Sequence, residues 1–244
     1  MREQEEVDIF DGEGGLYRCQ VSKAHQRRAQ IRVVEQIVSI ERSDRAPSLA
    51  MALLKGQAMD RAIAQATELG VQQIWLLQTD RSNLPLKGER LDQKLGHWQR
   101  IIASACEQCG QTWLPVLHPP RTVKACIDEQ ANGVPIVFDL DGAPLPRQVD
   151  IHQPLIFIGP EGGWSDEEAQ FFRDQYVARY RLGGHSFARR DHARCRLGTD
   201  SASQRMACLV SFVRLARSRS AASDTACISA SSSGFIVPAP SCSW

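Results

Sequence analysis

Residues 155–168 read LIFIGPEGGWSDEE, and this stretch decides the fold. The apolar run 155–158 predicts the end of a buried strand, because a short continuous apolar run bounded by glycine and proline is typical of a parallel sheet. The glycines at 159, 162 and 163 allow a positive φ or a close approach of the backbone to a ligand. Ser165 and Glu168 have the spacing of a capping box, which predicts that a helix starts here.

The charges around this turn indicate which ligand it would accept. Glycines between a strand and a helix often hold phosphate, but neither G-x-G-x-x-G nor G-x-x-x-x-G-K-[ST] occurs here. Acidic side chains crowd the helix start, at Glu161, Asp166, Glu167 and Glu168. They suit the positive end of a helix dipole but would repel a phosphate. The sequence therefore favours a neutral or cationic ligand, with a turn that binds nothing as the alternative.

Strands and helices alternate before this turn. The pattern predicts strands at 49–54, 71–77, 113–117, 136–140 and 155–158, and helices near 59–69, 89–109 and 122–129. This alternation predicts an α/β fold with a parallel sheet, whose ligands bind beyond the carboxyl ends of the strands. The loop 78–83 follows another such strand. Its Arg81 is a candidate to hold an RNA phosphate, and an ordinary polar loop is the alternative.

The first part of the chain has a different pattern, without alternating strands and helices. Residues 7–38 predict short strands joined by a glycine-rich hairpin at 11–15. Two or three strands cannot close a barrel, so this region is interpreted as part of a small β domain. It carries a basic cluster formed by Lys23, His25, Arg27, Arg28 and Arg32. The cluster favours RNA binding no more than it favours a solvated hairpin.

Composition excludes some classes of protein. The 29 Lys and Arg against 28 Asp and Glu give a net charge of +1, so RNA contacts would depend on local patches. No apolar run reaches 18 residues, which predicts a cytoplasmic protein. Cys106 and Cys109 form the only C-x-x-C, without a second pair at zinc spacing, so core packing is favoured over a metal or redox site. The histidines at 97, 118, 152 and 185 have no triad spacing, and surface or core positions are expected for them.

Several motifs occur in one order across residues 8–183. They are GPEGGWSxxE at 159–168, KG at 55–56 with MD at 59–60, ATELGV at 66–71, DRS at 80–82 and EQCG at 107–110. Together they resemble the ribosomal RNA small-subunit methyltransferase E (RsmE) family of the SPOUT superfamily. The resemblance implies S-adenosylmethionine-dependent methylation of N3 of a uridine in small-subunit ribosomal RNA, by a cytoplasmic homodimer. It also implies a SPOUT-type parallel sheet with a C-terminal trefoil knot, preceded by a PUA-like β-barrel that binds RNA.

The resemblance assigns roles to residues as well. One wall of the cofactor site would be Gly159, Pro160, Glu161, Gly162 and Gly163, and the next would begin with Leu182 and Gly183. Arg81 would lie near the RNA, with Lys23, Arg27, Arg28 and Arg32 on the β domain. The sulfonium of the cofactor is a cation, which is compatible with a carboxylate such as Glu161. No metal is implied, and the catalytic base stays unassigned.

This chain departs from the family pattern at both ends. At the front, the β-barrel is expected to be partial. At the back, the family's Leu-Arg-x-Glu-Thr stretch and apolar helix are replaced by a Ser-rich sequence in which residues 185–244 contain no Lys and no Glu. Suitable codons for residues 187–201, regrouped one base later, spell LRAETTPVAALALTA, which indicates a frameshift shortly before Phe187. The tail as written is therefore expected to weaken or abolish cofactor binding.

The predicted domains are a partial PUA-like β domain at 1–45, a SPOUT methyltransferase domain at 46–184 and a Ser/Arg-rich tail at 185–244, out of frame or disordered. An inactive RNA-binding remnant of the same family is the alternative function, supported by the basic cluster and the altered tail. A dinucleotide-dependent enzyme has only the alternating architecture in its favour, since the glycine fingerprint is missing.

Overall fold

The computed structural model of the chain describes residues 3–24, 29–82, 87–129, 133–146 and 151–181. The described residues form two compact units, one from 3–43 and 106–114 and the other from 44–105 and 115–181. Several predictions fall outside the described residues. They are the basic residues His25, Arg27 and Arg28, the second cofactor wall at Leu182 and Gly183, the trefoil knot and the tail 185–244.

The first unit contains an antiparallel sheet of three described strands, β1 (Glu6–Phe10), β2 (Gly15–Ala24) and β3 (Ala29–Ser39), in the order β1-β2-β3. Alternate residues of β1 and β2 form its apolar core, namely Val7, Ile9, Cys19 and Val21. In the predicted hairpin, Asp11 Oδ1 accepts hydrogen bonds from the backbone N–H groups of Glu13 and Gly15, at 2.7 and 2.9 Å. The strand prediction is confirmed, and the PUA-like barrel stays a prediction.

A short segment from later in the chain completes this unit. The indole Nε1 of Trp113 donates to the carbonyl of Ile40 at 2.8 Å, and the N–H of Leu114 donates to the carbonyl of Gly12 at 3.0 Å. The predicted strand at 113–117 is therefore wrong at its start, because the polar groups of Trp113 and Leu114 bond to the first unit. The strand begins only at Val116.

The second unit is built on a six-stranded parallel sheet in the order β6-β5-β4-β8-β7-β9. Its strands are β4 (Ser48–Ala52), β5 (Gln73–Leu77), β6 (Val116–Arg121), β7 (Val134–Pro144), β8 (Pro154–Ile158) and β9 (Ala178–Arg181). Every pairing in this sheet is parallel, which confirms the α/β prediction. The chain moves outward from β4 through β5 to β6 and later returns to β8 beside β4. The strand order thus reverses at the β4–β8 pair, which is where parallel sheets bind ligands.

Four described helices connect these strands: α1 (Gln57–Glu68), α2 (Glu89–Cys109), α3 (Val123–Glu129) and α4 (Asp166–Asp174). The first two end as predicted, since Gly70 and Gly110 follow them with φ values of 78° and 73°. None of the described helices has the length and apolarity needed to cross a membrane.

The central strand β8 is apolar throughout because it is covered on both faces. Leu155 and Phe157 point into a cluster with residues of α3 and α4, and both are at most 1% exposed. Ile156 and Ile158 alternate with them, point to the opposite face and are at most 2% exposed. This double burial is the reason for the continuous apolar run in the sequence. It fixes the point at which the chain leaves the sheet at Gly159.

Candidate functional site

The predicted glycine-rich turn lies at the carboxyl end of β8, beside the β4–β8 reversal. The N–H of Gly163 donates to the carbonyl of Pro160 at 3.0 Å and closes a four-residue turn over Glu161 and Gly162. Gly163 has a φ of 75°, a left-handed conformation that a residue with a side chain rarely adopts. Gly159 and Pro160 are buried, whereas the next three residues are exposed. The turn therefore presents exposed backbone beyond the end of the sheet.

The first glycine of the turn makes room for an indole. A Cβ on Gly159 would lie 2.7 Å from Cε2 of Trp164, closer than side chains tolerate. Trp164 is 8% exposed and packs edge-on against Phe172, with ring centroids 4.9 Å apart. Phe172 in turn packs edge-on against Phe157 at 5.3 Å. A chain of aromatic contacts thus ties the turn to the core of the sheet.

The capping box predicted at the start of α4 is confirmed. Ser165 Oγ accepts from the N–H of Glu168 at 3.1 Å, and Glu168 Oε2 accepts from the N–H of Ser165 at 2.9 Å. Both side chains also reach the loop after β5. Ser165 Oγ donates to Asp80 Oδ2 at 2.6 Å, and the N–H of Asp80 donates to Glu168 Oε1 at 3.2 Å. The cap thus joins two loops that lie 85 residues apart in the sequence.

Arg81, which follows Asp80 in the loop after β5, contacts the glycine turn itself. Arg81 Nη1 donates to the carbonyl of Gly162 at 2.9 Å. The loop is ordered locally by Ser82, whose Oγ accepts from the N–H of Thr79 at 3.1 Å and donates to the Thr79 carbonyl at 2.8 Å. The structure therefore brings Arg81 into contact with the predicted cofactor wall.

Two buried polar atoms at this edge have no hydrogen-bond partner among the described residues. They are Oγ1 of Thr79, which is 4% exposed, and Nε1 of Trp164, which is 8% exposed. A buried donor or acceptor without a partner costs free energy, and a bound ligand or water at this edge would supply the missing partner. Sequence reasoning missed both, because only the fold decides whether a Thr or a Trp has a partner.

The described β7 also brings charge to this edge of the sheet. Phe138 pairs with Ile158, so Asp139 follows at the same height as Gly159. Asp139 Oδ2 accepts from Arg179 Nη2 at 2.6 Å, and both side chains are about one quarter exposed. This ion pair is not evident in the sequence, because β9 was not predicted. With Glu161 and Asp80, the described part of the edge carries the acidic character that the sequence indicates.

The predicted RNA-binding residues of the first unit are placed only in part. Lys23 and Arg32 lie on β2 and β3 and are exposed. Arg32 Nη2 donates to Gln20 Oε1 across the strand pair at 2.8 Å. Exposed guanidinium and ammonium groups on one hairpin are compatible with phosphate binding, so these assignments stay predictions.

The described side chains of His118 and Cys106 have the surroundings of residues that contribute to packing. His118 stacks on Trp75 with ring centroids 3.5 Å apart, and its Nε2 lies 3.0 Å from Gln73 Oε1. Burial lowers the pKa of His118, because desolvation disfavours the charged imidazolium. Within the described ranges, no three His, Cys, Asp or Glu side chains lie together as metal ligands would. Cys106 is buried, as predicted for core packing, whereas Cys109 is exposed.

The thiols of Cys106 and Cys126 should resist alkylation by iodoacetamide near neutral pH, while Cys109 reacts. Burial raises the pKa of both buried thiols to about 12, and the thiolate is the nucleophile. Because their pKa values are raised, both groups stay protonated until the pH approaches that value. Peptide mass spectrometry after timed alkylation measures the rates, and the denatured chain is the control in which all three react. Equal rates for Cys106 and Cys109 in the folded chain would contradict this burial.

The chain matches a known protein family over its parallel sheet and over this site. The family described as RNA methyltransferase domain matches residues 41–186, which is more than half of the chain. The match includes the whole parallel sheet, the glycine turn and the Asp80–Arg81 loop.

Two curated relatives are both named ribosomal RNA small subunit methyltransferase E. The one from Synechocystis is 30% identical over 168 residues, which are 66% of this chain and 54% of the relative. The one from Helicobacter pylori strain J99 is 27% identical over 171 residues, which are 70% of this chain and 73% of the relative. The chain therefore spans about half the length of the first relative and about three quarters of the second.

A solved structure supports the same fold. The ribosomal RNA small subunit methyltransferase E from Neisseria gonorrhoeae, a crystal structure bound to S-adenosyl methionine, superposes with a TM-score of 0.72 at 22% identity. The superposition covers 88% of this chain and 84% of that protein. Since the family match extends over the fold and over both loops of the site, the chain belongs to the RNA methyltransferase domain family, and within it resembles the small-subunit methyltransferases E.

Proposed function

We propose that this protein transfers a methyl group from S-adenosylmethionine to N3 of a uridine in small-subunit ribosomal RNA. Family membership and the printed names of the relatives support the reaction class. The observation that carries the proposal is the turn 159–163 at the reversal of strand order. The turn has exposed glycine backbone, and two buried polar atoms at the same edge of the sheet, Nε1 of the following Trp164 and Oγ1 of Thr79 after β5, lack partners among the described residues.

The residues of the turn fit an adenosyl sulfonium compound better than a phosphorylated one. Gly162 and Gly163 present backbone without side chains, so a flat adenosine can approach them closely. Glu161 and Asp80 add negative charge, which attracts the sulfonium and repels phosphate. Gly159, Pro160, Glu161, Gly162 and Gly163 would hold this side of the cofactor. Leu182 and Gly183, outside the described residues, are proposed for the other side.

Bound in this way, S-adenosylmethionine supplies an electrophilic methyl group. The N3–methyl bond forms as the sulfur–methyl bond breaks, the electron pair of that bond stays on sulfur, and the N3 proton is released to solvent. The protein must therefore hold uridine N3 in line with the methyl group. The Watson–Crick edge of the base must also be free, which requires a looped-out or single-stranded nucleotide. The rigid turn contributes by fixing one partner of this alignment.

We propose that Lys23 and Arg32 contact the phosphates of the RNA. They lie exposed on the β2–β3 hairpin, on either side of the segment that carries Arg27 and Arg28. Because the net charge of the chain is only +1, such a local cluster is the source of attraction for RNA. The small ribosomal subunit is the proposed partner, and a homodimer is the proposed assembly.

The test uses small ribosomal subunits from cells that lack this methylation. Purified chain, subunits and S-adenosylmethionine with a labelled methyl group are incubated, and the RNA is digested and searched for 3-methyluridine by mass spectrometry. Reverse transcription then locates the site, because a methyl on N3 blocks base pairing. Label in 3-methyluridine is expected, in a small amount because the tail as written should weaken cofactor binding, and label in another nucleoside would overturn the proposed specificity.

A second form of the chain separates the effect of the tail from that of the turn. In this form, LRAETTPVAALALTA replaces residues 187–201. The replacement is expected to tighten the binding of S-adenosylmethionine in isothermal titration, because it supplies the family's motif beside Leu182 and Gly183. If neither form binds the cofactor while both bind RNA, the inactive RNA-binding remnant is the correct reading.

A further inference from the structure

Arg81 lies along the glycine turn although it belongs to another loop. It follows β5, which is separated from β8 by β4. Its Nη1 donates to the carbonyl of Gly162 at 2.9 Å. A Cβ on Gly162 would lie 3.6 Å from Cβ and Cδ of Arg81, so the aliphatic stem borders the space that a side chain at 162 would occupy. The guanidinium thus contacts the turn, and the stem lies close beside it.

Asp80, the residue before Arg81, bonds to the start of α4, immediately after the same turn. Asp80 Oδ2 accepts from Ser165 Oγ at 2.6 Å, and the backbone N–H of Asp80 donates to Glu168 Oε1 at 3.2 Å. Two consecutive residues therefore fasten the segment between Gly162 and Ser165 at its two ends. The carboxylate restrains the start of α4, and the guanidinium restrains the exposed backbone of the turn.

Such fastening matters because the turn is rich in glycine. Glycine loses more conformational freedom on ordering than any other residue. If the turn were free, a ligand would have to order it upon binding, and its affinity would fall by that cost. A hydrogen bond from a charged donor to the Gly162 carbonyl orders the turn in advance.

We propose that Arg81 is a positioning residue for the cofactor turn, and not a contact to an RNA phosphate. The proposal rests on the function proposed above, since it assigns this turn to S-adenosylmethionine. The surroundings agree with it. Glu161 precedes Gly162, whose carbonyl Arg81 binds, and Asp80 precedes Arg81, so an acidic residue adjoins each partner of this hydrogen bond and disfavours a phosphate there.

The experiment compares Arg81→Ala and Arg81→Lys with Arg100→Ala as a matched control. Arg100 is also exposed and also donates to a glycine carbonyl, from its Nε to Gly96 at 3.2 Å, but within α2. Isothermal titration measures the dissociation constant for S-adenosylmethionine. Filter binding of a small-subunit RNA fragment at several salt concentrations measures the RNA affinity and its salt slope.

Arg81→Ala should weaken cofactor binding about tenfold, as expected for loss of a hydrogen bond from a charged donor. Arg81→Lys should recover part of the loss, because an ammonium can donate one bond to the Gly162 carbonyl. RNA affinity and its salt slope should stay unchanged in both, and Arg100→Ala should change neither. Unchanged cofactor affinity with a salt slope reduced by about one would identify a phosphate contact and overturn the proposal.

Hydrogen exchange of the free chain distinguishes this proposal from the function on which it rests. In the absence of any ligand, Arg81→Ala should speed amide exchange in peptides covering residues 159–168, and Arg100→Ala should not. If neither the unaltered chain nor the form with LRAETTPVAALALTA at 187–201 binds S-adenosylmethionine, the proposed function fails, yet faster exchange would still support positioning of the turn. Exchange equal to that of the unaltered chain would refute it.

Discussion

Replacing Phe172 with alanine is expected to lower the free energy of unfolding by about 3–5 kcal/mol. Phe172 is 1% exposed and lies between the rings of Phe157 and Trp164, at 5.3 and 4.9 Å. Its removal leaves a cavity where α4 meets β8, and it also removes two edge-on aromatic contacts. Since domains of this size are stable by only about 5–15 kcal/mol, the loss is a large part of the total.

Phe171→Ala is the matched control for this prediction. It removes the same side chain from the next position of α4, but Phe171 is only partly buried against the cluster. We expect a loss of about 1 kcal/mol for it. Urea unfolding followed by circular dichroism measures both variants, and Phe172→Leu provides a milder change if the alanine variant does not fold. Equal losses for the two alanine variants would mean that Phe172 is not the link between the helix and the sheet.

Replacing Gly159 with alanine is expected to reduce kcat/KM for methyl transfer about 100-fold, the size of effect that a displacement of about 1 Å produces at a reacting centre. The added Cβ would lie 2.7 Å from Cε2 of Trp164. Trp164 packs against Phe172, so a movement of the indole would disturb that contact. We therefore expect the turn to shift away from the sheet instead. Overpacking of this kind also costs about 1–3 kcal/mol of stability.

Gly162→Ala adds the same methyl group three residues later and is the control. There the Cβ would meet Arg81 at 3.6 Å, an ordinary contact, and Gly162 does not have a positive φ. We expect the free energy of unfolding of this variant to change by less than about 0.5 kcal/mol, because the new methyl fits without moving the turn. Thermal unfolding measures both variants, and methyl transfer to small ribosomal subunits measures Gly159→Ala. If alanine at 159 destabilises the chain no more than alanine at 162 does, Trp164 does not restrain the turn.

Local interactions could be predicted from the sequence where all of the interacting residues lie in one short stretch. The capping box of Ser165 and Glu168 and the helix ends at Gly70 and Gly110 depend on residues within a few positions of one another. The parallel sheet was readable for a related reason. Burial on both faces requires continuous apolar strands, and helices must alternate with them to connect parallel neighbours.

Predictions failed where a distant partner decides the conformation. The stretch 113–117 has the composition of a strand, but Trp113 and Leu114 bond to Ile40 and Gly12, so β6 starts later. The described part of β9 has the sequence ARYR, which is too short and too polar to produce a clear signal. Its place in the sheet comes from its pairing with β7.

Residue order alone was enough to predict the α/β architecture, the position of the glycine turn and the acidic character of its surroundings. These depend on periodicity, on backbone freedom and on charge, all of which act over a few residues. The folded chain was needed to show that Gly159 makes room for Trp164, that Asp80 bonds to Ser165 and that Arg81 bonds to Gly162. The physical reason is that hydrogen bonds and close packing require atoms within a few ångströms, and a parallel sheet brings together loops that lie about 80 residues apart in the chain.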